Sequence, residues 1–233
     1  MTEARSAILD RIRGALGSSR RSADAADQVD QRLRSHKAGI IPNRGRPGNA
    51  ERVAEFTAEV ERVNATVAHV TGPAETAREV ARYLASNNLP PDVKLAPDPT
   101  VTNIPWAEQT MLNISQGPAN DADTASVSRA LAAVAETGTV VMMSSPDNPT
   151  TLNFLPPTHI ILLDAAEILG SYEETWDRIR GEAGETAETG GFMPRSVNWI
   201  TGPSRTADIE QTLLLGMHGP QRLHIVIVDD EAT

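Results

Sequence analysis

No cysteine occurs among the 233 residues. That absence removes disulfides, thiolate zinc sites, cysteine-held iron–sulfur clusters and cysteine nucleophiles from the chemistry of this chain. It also fits the reducing cytoplasm, where the protein is expected to reside. Aromatic residues make up only 3% of the chain, too few for the stacking platforms that bind single-stranded nucleic acid. No apolar run approaches the ~20 residues that span a bilayer. The first residues, "MTEARSAILDRIRGALG", are amphipathic and acidic at the start rather than signal-like, so neither export nor a membrane span is expected. Neither a Gly-x-Gly-x-x-Gly fingerprint nor a P-loop is present, so nucleotide binding of those types has no support.

Charge is unevenly spread. The chain carries a formal −10, yet Met1 to Ala50 hold a balance of +5 and the remainder −15. A basic arm on an acidic body folds back on that body or reaches for an acidic partner, and the body itself repels phosphate, so nucleic acid is not an expected partner.

Hydrophobic spacing organises the rest. Ile8, Leu9, Ile12 and Leu16 fall on one helical face, predicting a helix from Thr2 to about Leu16. "GSSRRSADAADQ" is small and polar and reads as a linker. With the Pro- and Gly-rich stretch after it, this divides the chain into an arm and linker over 1–48 and an α/β domain over 49–233. In that domain a helix over Ala50 to about Asn64 is followed by alternating elements: a β-like run Thr66–Val70, a helix Glu75–Asn87, and a short strand Val93–Ala96. Trp106–Ile114 is a weak segment. Apolar strands follow at Val140–Met143, His159–Asp164, Val197–Ile200 and Leu223–Val228, with helices around Tyr172–Arg180 and Ala207–Leu215. Continuous apolar strands separated by helices predict a largely parallel sheet flanked by helices. Such folds bind ligands beyond the carboxyl ends of their strands.

One frame occurs twice. "HVTGPAETAREVARYL" and "ITGPSRTADIEQTLLLGMHGP" each join a β-like run through Thr-Gly-Pro to a Thr-Ala pair and a helical pattern. The shared part needs only a turn and a cap. The difference is chemical: Ala74-Glu75 in the first copy is Ser204-Arg205 in the second. A hydroxyl and a guanidinium beside free N–H groups hold an anion, with Thr206, Asp208 and Glu210 close in sequence. Asp208 equally serves the helix dipole or pairs with Arg205. Gly216 is placed to end the helix. His218 follows in "MHGP" as a turn histidine or a proton donor at the rim.

"AETGT" sets Glu136 before a Thr137-Gly138 turn and a buried strand, where a carboxylate acts as base or nucleophile or merely marks a hairpin turn. "SSPDNPTTLNFLPPTH" is a Pro-rich loop with Asn148 and Asn153. It leads to His159, which opens a strand near the same crevice. No local His/carboxylate spacing matches a metal motif, so no metal is expected.

Together, "AETGTVVM…SSPDNP…LPPTHIILL" and "ITGPSRTADIEQTLLLGMHGPQRLHIVIVD" resemble the lactate utilization protein C family, the stand-alone LUD domain. The resemblance covers about Asn49 to Asp229 and is densest from Glu136 onward. It implies a fold similar to the ribose-5-phosphate isomerase, glucosamine-6-phosphate deaminase and CoA-transferase group. It also implies a subunit of a complex oxidising L-lactate to pyruvate, with an iron–sulfur LUD protein and a cysteine-rich protein as partners. Iron–sulfur clusters then belong to a partner subunit, which agrees with the missing cysteines, and the ligand is a small carboxylate such as L-lactate. The alternative is a self-sufficient isomerase or acyl/CoA-transferase-like enzyme acting on a small anionic substrate. Candidate catalytic residues are Glu136 and His218. Candidate binding residues are Thr137, Gly138, Ser204, Arg205, Thr206, Asp208 and Glu210.

Overall fold

A computed structural model describes residues 2–16, 23–46, 48–184, 194–206 and 214–229. The chain separates into two units, residues 1–40 and 41–233. Among the described residues the first carries the helices α1 (Thr2–Leu16) and α2 (Ala23–Ser35). Helix α2 takes in the end of the stretch that reads as a linker. Its alanines and long polar side chains are good helix formers, and Arg32 and Arg34 in its last turn suit the dipole.

The second unit begins with α3 (Asn49–Arg62), β1 (Thr66–Thr71), α4 (Gly72–Ser86), β2 (Asp92–Leu95), the single turn α5 (Pro99–Thr102) and β3 (Asn113–Gln116). Next come β4 (Ala125–Arg129), β5 (Ala132–Val134), β6 (Thr139–Met143), the short α6 (Thr151–Phe154), β7 (Thr158–Asp164) and β8 (Ile168–Leu169). The chain continues through α7 (Tyr172–Gly184), β9 (Val197–Ile200), β10 (Arg205–Thr206), β11 (Leu214–Leu215) and β12 (Arg222–Asp229).

Six strands form a wholly parallel sheet in the order β1-β12-β7-β4-β2-β3. Its interior strands β7 and β12 show why the sequence reads as unbroken apolar runs. Ile160, Leu162 and Val226 enter one core with Val80, Leu84 and other residues of α4. Ile161, Leu163, Ile225 and Ile227 enter a second core on the other face, with Phe56 and Val60 of α3. Alternate side chains serve opposite faces, so both must be apolar.

That second core is closed by another sheet, β8-β5-β6-β9. Here β5 with β6 and β6 with β9 pair antiparallel, while β5 and β8 are parallel. The strands Val140–Met143 and Val197–Ile200 therefore lie outside the parallel sheet. The link from β5 to β6 is only Ala135–Gly138, long enough for a hairpin and far too short for a parallel crossover.

The expected helix Ala207–Leu215 falls largely on 207–213, outside the described residues. Its last two positions, Leu214–Leu215, form β11, antiparallel to β10. Gly216, with φ +80°, thus follows a strand.

Candidate functional site

The turns at Thr137-Gly138 and Thr201-Gly202 lie against the end of α3. Gly138 has φ +60°, and a Cβ there would sit 2.6 Å from Val60 N. At Gly202, φ is +76° and a Cβ would sit 2.8 Å from the Val63 carbonyl oxygen. Only glycine fits both the conformation and the space. Hydroxyls join the two turns. Thr139 Oγ1 lies 2.8 Å from Thr137 Oγ1 and 2.7 Å from Thr201 Oγ1, and Tyr172 OH lies 3.1 Å from Thr137 and 3.2 Å from Thr139.

Thr201 opens onto a cavity of about 300 Å³. One wall is the end of β9 and the Thr201–Arg205 segment. Another is the His218–Pro220 turn. The remainder is Asn153 and Phe154 of α6, with His159 and Leu223 from the starts of β7 and β12. Relative to the parallel sheet, the cavity is at the amino ends of its strands, not beyond the carboxyl ends as expected. The reason is topological: the turn that walls it follows β9, which belongs to the other sheet. The carboxyl ends of the parallel strands instead carry the Arg129–Asp164 ion pair and His69 Nδ1 3.4 Å from an Asp229 carboxylate oxygen.

Ser204 fixes the shape of the rim. Its N–H donates to the Pro220 carbonyl (2.9 Å), its carbonyl accepts from Gly216 N–H (2.9 Å), and its Oγ accepts from His218 N–H (3.2 Å). Arg205 is exposed and Thr206 buried on β10. The second Thr-Gly-Pro therefore leads into a strand at Arg205–Thr206, unlike the first, which leads directly into α4. In that first copy Glu75 accepts from Thr71 N–H and Oγ1, both at 2.7 Å. These hydrogen bonds, the backbone one first, hold the Glu75 carboxyl below its ordinary value.

Behind the cavity wall lie polar groups that the sequence places only in a loop and at a strand start. His159 is fully buried, its Nε2 2.7 Å from Ser128 Oγ, and burial pushes its pKa down to about 3. The ring is therefore neutral at ordinary pH. Its Nδ1 has no hydrogen-bond partner among the described residues, and neither does Oδ1 of Asn153, which is 2% exposed. Asn153 is held in place through α6, whose Leu152 carbonyl accepts from Ser126 Oγ at 2.7 Å. Their signal in the sequence is polarity without an excuse: a histidine heading an all-apolar strand and an amide between Leu152 and Phe154.

Of the candidate residues, Ser204, Arg205 and His218 meet at the cavity, and Thr206 is adjacent in β10 but does not line it. Asp208 and Glu210 lie outside the described residues. Glu136, Thr137 and Gly138 form the β5–β6 turn and do not line the cavity; their link to it runs through the Thr137–Thr139–Thr201 hydroxyls. Glu136 is buried and 3.6 Å from Arg44 Nε, and its Oε2 has no hydrogen-bond partner among the described residues. The chain itself fills the space before it: a Cβ on Gly45 would lie 3.2 Å from Oε2. No cluster of three or more His, Asp or Glu suited to a metal ion occurs among the described residues.

The arrangement combines an exposed guanidinium, a hydroxyl, an imidazole at the rim and neutral polar groups at depth, against Phe154, Trp199, Ile200 and Leu223. Side chains of these kinds have the chemistry to hold a small anion at one end and an apolar remainder at the other. Trp199 is braced by Tyr172 and Trp176, with ring centroids 5.2 and 5.3 Å away.

Comparison with known proteins fits this architecture. Residues 118–228 match the sequence model of the LUD domain. An uncharacterized protein of Neisseria meningitidis serogroup B is 41% identical over 123 residues, covering 53% of this chain and 46% of that one. The lactate utilization protein C of Geobacillus thermodenitrificans is 35% identical over 131 residues, 53% of each chain. That of Bacillus subtilis is 37% identical over 97 residues, 42% of this chain and 39% of that one. The chain thus aligns with about half the length of these curated relatives. In structure it is similar to a DUF162 family protein from Deinococcus radiodurans, with a TM-score of 0.57 at 22% identity, covering 78% of this chain and 99% of that one. By these matches residues 118–228 are similar to the LUD domain, and about half of the chain is similar to lactate utilization protein C relatives.

Proposed function

We propose that this chain serves lactate utilization as a carboxylate-holding subunit of a complex that oxidises L-lactate to pyruvate. The observation that carries the reading is the cavity in which Arg205 and Ser204 meet His218 above buried polar groups. Arg205 grips the carboxylate through paired N–H donors, and Ser204 offers its hydroxyl proton, its acceptor side being used by His218 N–H. The names of the relatives support the pathway. Oxidation of the alcohol to the ketone releases two electrons, and a chain without cysteine has no thiolates to hold an iron–sulfur cluster. Those electrons therefore pass to partners, an iron–sulfur LUD protein and a cysteine-rich protein, and the basic stretch before residue 50 suits an acidic partner surface.

Calorimetric titration of the chain with L-lactate and pyruvate, beside Arg205→Ala, tests the carboxylate site. Binding that is lost in the variant while its circular dichroism is unchanged supports it; no binding by the unmodified chain overturns it. Co-purification with the two partners tests the assembly.

A second reading rests on Glu136, a buried carboxylate whose Oε2 faces Arg44 Nε at 3.6 Å but accepts no hydrogen bond among the described residues. It makes the chain a self-sufficient isomerase or acyl/CoA-transferase-like enzyme with Glu136 as base or nucleophile. Turnover of a phosphosugar or CoA ester by the isolated chain, abolished in Glu136→Gln, would favour it. Absence of such turnover removes it.

A further inference from the structure

A lactate held at Arg205 uses only part of the cavity. A cavity of roughly 150 Å³ accommodates benzene, which has as many heavy atoms as lactate. This one measures about 300 Å³, so lactate fills about half of it. Much of the remaining wall is carbon, from Phe154, Trp199, Ile200 and Leu223. Phe154 is 40% exposed and Trp199 and Ile200 are half-buried, so this lining is not sealed behind other side chains. Water against such walls finds few hydrogen-bond partners, and replacing it with carbon is favourable.

One residue keeps the space open. Gly219 lies in the His218–Pro220 turn that forms one wall. A Cβ there would sit 3.5 Å from Ser204 Cβ and 3.8 Å from Phe154 Cδ1. It would thus touch both the residue assigned to the carboxylate and a ring of the apolar wall. These are ordinary contact distances, and Gly219 does not adopt the left-handed conformation of Gly138 and Gly202. Neither the backbone nor a clash demands glycine here, and what its missing side chain provides is room.

We infer that the cavity takes carboxylic acids whose apolar tail is larger than the methyl of lactate, branched or aromatic, and that Gly219 sets the size of that tail. The inference rests on the carboxylate site proposed above and extends its ligands beyond lactate.

The head of such an acid meets Arg205 and Ser204, and its tail passes Gly219 toward Phe154 and Trp199. Trp199 is a firm wall for it, since Tyr172 and Trp176 brace its ring at 5.2 and 5.3 Å. An acid with a phenyl tail has about twice the heavy atoms of lactate and matches the volume. Each carbon moved from water to these walls adds to affinity, which a shorter acid forgoes.

The test is a calorimetric series on the full chain with propionate, pentanoate, isocaproate and hydrocinnamate, which share the carboxylate and differ only in the tail. Affinity is expected to rise about fourfold for each added methylene, so that isocaproate binds roughly tenfold or more tightly than propionate. Gly219→Leu is expected to lower hydrocinnamate affinity about tenfold relative to propionate, because the new side chain takes the place of the tail. Arg205→Ala is expected to weaken all four. Equal affinity across the series on the unmodified chain overturns the inference and leaves the carboxylate site standing. A folded Gly219→Leu variant that keeps the whole preference overturns it equally, since the tail then lies elsewhere. Failure of all four acids to bind removes the carboxylate site and this inference together. Should Gly219→Leu not fold, the series on the unmodified chain decides alone.

Discussion

Thr139 Oγ1 lies 2.7 Å from Thr201 Oγ1, one step beyond the Val140–Ile200 pair of the β6–β9 ladder. This contact joins the turn that carries Glu136 to the turn that walls the cavity. Thr139 is fully buried and shares its hydroxyl with Thr137, Tyr172 and Thr201. Thr139→Val keeps the shape and deletes the hub, leaving hydroxyls around it short of a partner. A loss of about 1–2 kcal/mol is expected, read as a lower urea midpoint with an unchanged slope. An unchanged midpoint would mean that these hydroxyls are equally well served without Thr139.

Gly138 and Gly202 should be the least replaceable residues of their turns. Each has positive φ, which costs an L-residue roughly 1–2 kcal/mol. Each also abuts α3 backbone at a distance no Cβ tolerates, 2.6 Å at Gly138 and 2.8 Å at Gly202, adding about 1–3 kcal/mol. Alanine at either site is expected to destabilise by about 2–4 kcal/mol in denaturant titrations. A loss under about 1 kcal/mol at both would show that α3 yields easily and is not the fixed floor of the two turns.

The fold was legible where burial dictates residue type. β7 and β12 are interior strands covered on both faces, so Ile160–Leu163 and Leu223–Val228 read as short continuous apolar runs, the pattern from which the α/β class follows. Strand direction was not legible in the same pattern. Val140–Met143 is as apolar as Ile160–Leu163, yet it belongs to an antiparallel hairpin because only four residues, Ala135–Gly138, separate β5 from β6. The repeated Thr-Gly-Pro does not by itself fix the described element that follows it. The local turn chemistry is alike, but tertiary pairing sets the next element, α4 in one copy and β10 in the other. At the cavity, the polar and charged rim residues Ser204, Arg205 and His218 stood out in sequence. Asn153 and His159 were visible there only as a loop amide and a strand-opening histidine; that they lack hydrogen-bond partners after folding, no spacing reveals.

Glu79 predicts a component of acid sensitivity. Burial raises its pKa, but the hydrogen bonds from His224 and Arg82 outweigh burial and bring it down to about 2 from an ordinary 4.5. His224 Nε2 is 3.1 Å away, and Tyr83 stacks on the His224 ring at 4.0 Å. With the folded pKa depressed, the unfolded chain binds the proton first. The stabilisation is present above about pH 4.5 and is lost as pH falls toward 2. Glu79→Gln should be clearly less stable than the parent at about pH 7, and the gap should narrow steadily between about pH 5 and pH 3. A gap independent of pH would mean that the variant fails for packing reasons and not through the charge.

His159 predicts a second, earlier window. Burial lowers its pKa to about 3 from an ordinary 6.5, so the unfolded chain takes up a proton below pH 6.5 that the folded chain refuses. Stability therefore falls with pH from 6.5 down to about 3, by about 1.4 kcal/mol for each unit in that range. His159→Gln keeps a polar group near Ser128 but does not titrate. Its stability relative to the parent should improve as pH drops from about 7 to about 4.5, whatever penalty it shows at neutral pH. Every other titrating group is common to the two proteins, so the difference between their pH curves isolates this one residue. Parallel curves over that interval would mean that His159 gains a proton without penalty, and so that water or a counter-charge reaches Nδ1 in the folded chain.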